Sequence, residues 1–186
     1  MNKILIAALA ASTALIAVPA SAQTVSGTVA LTGTVASKCT ANPNNLNGSI
    51  NLGELAVAAG TVNTAFTGNV GGLSRSFTVT CTSPNAVLSA DASPLVNAGI
   101  VSPTAGYTNT VHYTATLAAV KAAGGTVSAA DTSNTSGATT APIAGHLANS
   151  ANNVTVTVSS GNTASADLLE AGSYAGSIAI SVAPAV

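Results

Sequence analysis

The chain has 186 residues and a formal net charge of −1, with 5% charged residues against 47% hydrophobic ones. Its four Lys and Arg, one of them Lys3, cannot form the basic face that nucleic acid requires, so that partner is excluded. Disorder pairs low hydrophobicity with high charge, the reverse of this composition, and a near-neutral surface offers little repulsion between copies.

In chain order, Lys3 supplies a short positive start, Ile4 to Val18 are apolar, Pro19 breaks the run, and Ala20-Ser21-Ala22 is a small-x-small cleavage site. Residues 1–22 read as an export signal, since the run falls short of the roughly 20 residues that span a bilayer. The mature chain is expected to begin at Gln23, with no later segment apolar enough to cross a membrane.

Val25, Val29, Leu31 and Val35 then occupy odd positions, with Gly27 and Gly33 between them and threonine or serine on most even ones. That alternation predicts a half-buried strand. The rhythm returns at Ile50/Leu52, Phe77/Val79/Cys81, Val111/Tyr113/Leu117 and Val154/Val156/Val158, and closes with Tyr174, Ile178, Ile180 and Val182. Residues 122–153 are mostly Ala, Gly, Ser, Thr and Asn, which reads as a long polar, exposed excursion with a weak strand near Ile143. The best helical stretch, Leu117 to Ala123, lacks a cap and runs into Gly124-Gly125. Short strands separated by turn residues argue an all-β sandwich, and the absence of a strict repeat argues against a solenoid.

Cys39 and Cys81 are the only cysteines. Behind an export signal, a pair reads as a disulfide formed in an oxidising compartment. It would close a loop of about 43 residues, worth roughly 4 kcal/mol in the chain-entropy model.

Residues with catalytic or metal-binding chemistry do not assemble into a set. His112 is out of phase with Val111 and Tyr113, so it should face solvent, and His146 lies in the polar excursion. Neither has a carboxylate or cysteine at ligand spacing, so no metal or cofactor is expected. Asp131 to Gly137 has an acid only at the first position of a would-be calcium loop and reads as a solvated turn. Asp167 and Glu170 precede a glycine turn, without the aromatic cleft that a sugar-cleaving carboxylate pair would need. Gly172-Ser-Tyr-Ala-Gly176 has its serine one place too early for a nucleophile elbow. Asn47, Asn134 and Asn153 open Asn-x-Ser/Thr triplets of the kind chance supplies in such a composition. No enzyme is expected.

The run Gly27-Thr-Val-Ala-Leu-Thr-Gly-Thr-Val-Ala-Ser-Lys-Cys39 resembles the start of mature chaperone–usher fimbrial subunits. Ile50-Asn-Leu-Gly-Glu54 and Phe77-Thr-Val-Thr-Cys81 are similar to the strands that follow there. Glu170-Ala-Gly-Ser-Tyr-Ala-Gly-Ser-Ile-Ala-Ile-Ser-Val182 resembles the close of the spore coat protein U group, a secreted relative of the pilins. The likeness covers both ends of the mature chain and leaves about 85–165 unmatched. One departure is that Ala183-Pro-Ala-Val186 lacks the aromatic residue many pilins carry there.

The resemblance implies an immunoglobulin-like, pilin-type sandwich over residues 33–186, missing a strand that a neighbour supplies from its extension at residues 23–32. Val25, Val29 and Leu31 would be the plugs, with Gly27 at a tight point, and Tyr174, Ile178, Ile180 and Val182 would belong to the last strand. The implied function is a secreted structural subunit of a fimbria-like or coat-like surface assembly. Its partners would be copies of itself or related subunits, with a periplasmic chaperone and an outer-membrane usher in transit. The alternative is a secreted adhesin-like module for a glycan or host protein.

Overall fold

The computed structural model describes residues 24–43 and 45–185; the export signal read over residues 1–22 lies outside the described residues. The chain divides into two units, Met1–Thr34 and Val35–Val186. In the first, residues 24–34 carry no regular secondary structure and are exposed throughout. The half-buried strand expected there is therefore not formed. Its alternate side chains Val25, Val29 and Leu31 are 84–92% exposed, and among the described residues none of them belongs to a ladder.

The second unit is all β among the described residues, and its two larger sheets fit a β-sandwich. In chain order its main strands are β1 (Cys39–Asn42), β2 (Ser74–Cys81), β3 (Val87–Ala92), β4 (Leu95–Val96), β5 (Tyr107–Thr108) and β6 (Thr110–Val120). They continue with β7 (Thr126–Thr132), β8 (Thr139–Pro142), β9 (Val154–Asn162), β10 (Leu168–Leu169) and β11 (Ile178–Ala183). One sheet runs β1-β2-β9-β6-β4 with β7 also paired to β6, and the other runs β11-β3-β8. A short parallel pair joins β10 to β5.

Alternation along each strand explains the core. On β6, Val111, Tyr113, Ala115, Leu117 and Ala119 point inward and are buried. They meet Val154, Val156 and Val158 of β9 and Leu88, Ala90 and Ala92 of β3. The opposite face of the larger sheet carries Ser74, Ser76, Thr114, Thr116, Thr155 and Thr157, in rows such as Ser74–Thr157–Thr116. The charged residues within its strands, Arg75 and Asp131, fall on the inward phase, so this outer face bears none.

Residues 122–153 are not the exposed excursion that their composition suggests. They form β7 and β8, and Ala129, Asp131, Ala141, Ile143 and Leu147 are all buried. Alanine at alternate positions is apolar enough to face a thin part of the core, although it gives a weak hydrophobic signal. Asp131 is likewise not in a solvated turn: it is 2% exposed, and its carboxylate accepts from Ala92 N–H at 2.8 Å and Thr139 Oγ1 at 2.9 Å. That pair of bonds links the two sheets. Ile50 and Leu52, expected on a strand, lie in an irregular segment, half-buried against the core.

Candidate functional site

The sandwich is open along β11. Among the described residues this strand pairs with β3 on one side only, in register Ile178↔Ala92 to Ala183↔Val87. Ser93 N–H bonds to the Ser177 carbonyl, which makes Ser177↔Ser93 a hydrogen-bonded pair. Pairs alternate in an antiparallel ladder, so the main-chain groups of Ile178, Ile180 and Val182 point to the free edge. Their side chains point inward, yet they are only half-buried.

Across the opening stands the other free edge, β1. Cys39 and Ala41 face inward and are half-buried, as are Arg75 and Phe77 on β2. Inward-facing residues that stay half-exposed mark the floor of a groove. Three depressions run along it. One of about 470 Å³ lies between Cys39–Ala41 and Ile178–Val182. The next, of about 320 Å³, is floored by Phe77, Tyr113, Val156 and Val158 and walled by Ile178 and Ile180. The third, of about 590 Å³, is bounded by Leu52, Leu55, Leu169 and Tyr174.

The strand entry at Tyr174 is fixed by polar contacts. Tyr174 Oη donates to the carbonyls of Glu170 at 2.9 Å and Thr108 at 3.2 Å. Burial pushes its phenol pKa up, with the nearby Glu170 charge adding to the effect. Gly172, at φ 145°, sits so close to Asn97 that an added Cβ would lie 2.4 Å from the amide nitrogen. Tyr113 donates to the Ser177 carbonyl at 2.9 Å, and burial, then the charge of Asp131, push its pKa to about 12.

The disulfide is present: Cys39 and Cys81 are direct cross-strand partners, 4.1 Å apart at Cα. Val25, Val29 and Leu31 belong to the separate first unit, and an added Cβ at Gly27 would meet nothing within 4 Å. His112 Nδ1 lies 3.5 Å from Ser133 Oγ, and His146 is exposed. Asp167 accepts from Ser165 Oγ, and Glu170 Oε1 accepts from Thr104 N–H at 3.1 Å. Among the described residues no group of three His, Cys, Asp or Glu is placed to hold a metal ion, and no helix is long and apolar enough to cross a membrane.

Three features of the site escaped the sequence reading. Arg75 lines the groove with no carboxylate bound to it among the described residues, its Nε donating to the Ser49 carbonyl at 2.6 Å. Phe66, fully buried, closes the core under the irregular segment. Asn153, 1% exposed, is a structural amide rather than an accessible triplet. Only the inward phase of Arg75, shared with Phe77 and Val79, was a usable signal. Comparison with known proteins finds no match to any family model, curated protein or solved structure.

Proposed function

We infer that the chain is a secreted structural subunit whose open groove is filled by the N-terminal extension of another copy, in an immunoglobulin-like, pilin-type sandwich. The observation that carries this reading is the match between two unfinished parts. Along β11, three residues present main-chain groups unpaired among the described residues, beside a groove whose middle depression is lined by Phe77, Val156, Ile178 and Ile180. Residues 24–34 offer alternating apolar side chains with no ladder of their own. Strand addition joins such parts: main-chain bonds hold the strand, and alternate side chains fill the depressions. The Tyr174 bond to the carbonyl four residues back is the corner expected where such a sandwich enters its penultimate strand.

Connectivity favours a donor from a neighbour. Residues 82–86 join Cys81 to Val87, and Cys39 pairs with Cys81 while Val87 pairs with Ala183. The chain therefore leaves Val35 from the Val182 end of the groove. Folding back from there would lay residues 24–32 parallel to β11. A neighbour's segment is free to pair antiparallel, the slightly stronger arrangement. An exposed edge of this kind needs cover during export, the place that a periplasmic chaperone and an outer-membrane usher would fill.

The test is multimer formation by the secreted protein in unboiled gels. Deleting residues 24–32, or making Val29→Asp, should abolish multimers while the Cys39–Cys81 bond still forms. Burying the new carboxylate without a partner is costly enough to block insertion. Thr28→Asp, on the opposite face of the donor, should matter far less. A wild type that stays monomeric at every concentration would overturn the reading.

A further inference from the structure

Asn47–Gly48 is the only Asn-Gly pair in the chain, and it lies on the rim of the groove. Asn47 lines the depression at the Val182 end, and Gly48 lines the adjoining one above Phe77. Both residues are exposed. Asn47 N–H donates to Asn45 Oδ1 at 3.2 Å, but among the described residues nothing bonds the Asn47 side-chain amide or the Gly48 N–H. The reacting groups are thus neither buried nor held by partners. Asn149–Ser150 and the other asparagines are followed by residues whose side chains crowd the same approach.

We propose that Asn47–Gly48 is a self-modifying site, where loss of the side-chain amide installs a carboxylate on the rim of the groove and weakens uptake of a donor strand. In the reaction, the deprotonated Gly48 nitrogen attacks Asn47 Cγ. The new C–N bond closes a five-membered imide as the Cγ–NH2 bond breaks, and ammonia leaves with the proton. Water then opens the imide at one of its two carbonyls, giving either Asp or its β-linked isomer at position 47. Water is the sole co-reactant, and no electrons are transferred.

The placement gives the change its consequence. A Cβ at Gly48 would lie 3.5 Å from Arg75 Cγ and 3.7 Å from the Phe77 ring, so this backbone rests against the groove wall. Asn47 itself lines the depression at the Val182 end, so a carboxylate formed there introduces a charge that an incoming apolar strand must desolvate. The β-linked product also lengthens the main chain by one atom within the segment that walls the groove. Only this second part of the proposal, the effect on docking, rests on the functional reading above.

The experiment ages the full mature chain at pH 8 and at pH 5, then maps peptides by mass. Exchange of NH for O should accumulate at residue 47, faster at pH 8, because the attacking nitrogen must lose its proton. Gly48→Ala should suppress it without disturbing the fold, since the added methyl meets only ordinary contacts at 3.5 Å. The aged chain and the Asn47→Asp variant should both form multimers about tenfold less readily than fresh chain. A residue 47 that stays intact, while an unfolded peptide of the same sequence reacts, overturns the site. Full modification with unchanged multimer formation overturns the link to docking. Fresh chain that never forms multimers overturns the functional reading instead, and the mass map still decides the site.

Discussion

The side-chain amide of Asn153 pairs with both main-chain groups of Val79. Its Oδ1 accepts Val79 N–H at 2.8 Å, and its Nδ2 donates to the Val79 carbonyl at 2.7 Å and to that of Ala148 at 2.5 Å. The β2–β9 ladder ends at Phe77↔Val154, and the amide extends it by imitating a peptide group. Asn153→Ala would leave the two buried main-chain groups of Val79, and the part-buried carbonyl of Ala148, without this partner. A loss of about 2–4 kcal/mol is expected in denaturant titration. Asn153→Asp has the same shape but turns the donor into a second acceptor, so it should destabilise at least as much. A change within about 0.5 kcal/mol would show that water replaces the amide.

The Cys39–Cys81 bridge should leave no thiol open to labelling in the folded protein. Replacing both cysteines with serine should cost about 2–5 kcal/mol, the usual range for removing a native disulfide from a small domain. Recovery of labelled thiols from the folded protein would contradict the structure.

Tyr113 makes stability fall at alkaline pH. Its pKa rises from 10 in the unfolded chain to about 12 in the fold, so the native state keeps the phenol proton longer. The unfolded state then binds fewer protons, and stability declines as pH rises from 10 towards 12. Tyr113→Phe should lose stability at neutral pH, because the bond to Ser177 goes, while flattening this alkaline decline. Denaturation midpoints at pH 8 and at pH 11.5 measure the difference. An unchanged slope in the variant would assign the decline to other groups.

On the acceptor side, Ile180→Asp should abolish multimers, because it puts a charge inside the groove between two depressions. Ser181→Asp borders the same depression, but its side chain is on the exposed phase of the strand, so it should affect assembly far less. Cooperative unfolding and the disulfide serve as folding controls for both. Equal loss in the two variants would mean that general charge, rather than strand docking, governs association.

The strands around Phe77, Val111 and Val154 were legible because large apolar residues alternate there with polar ones. β7 was not, and β8 showed only as the weak strand near Ile143, because Ala129 and Ala141 carry too little apolar surface to stand out from their Thr and Ser neighbours. The N-terminal alternation had the right period but forms no strand among the described residues: periodicity reports which face a strand would bury, not whether an edge is there to pair with it. The residues of β11 could be read, whereas the groove they border depends on which strand is missing next to them. Asp131 read as part of a solvated turn, since its partners, the Ala92 N–H and the Thr139 hydroxyl, come from the other sheet and leave no local signal.

The outer face of the larger sheet, with its rows of serine and threonine, holds no fixed ions. A surface of this kind gathers no counterion cloud, so dilution or brine has nothing there to compress or release. Two such faces brought together would gain or lose hydroxyl hydration alone. Contacts made through them would therefore be insensitive to screening by dilute salt, and would respond instead to solutes that alter hydroxyl hydration.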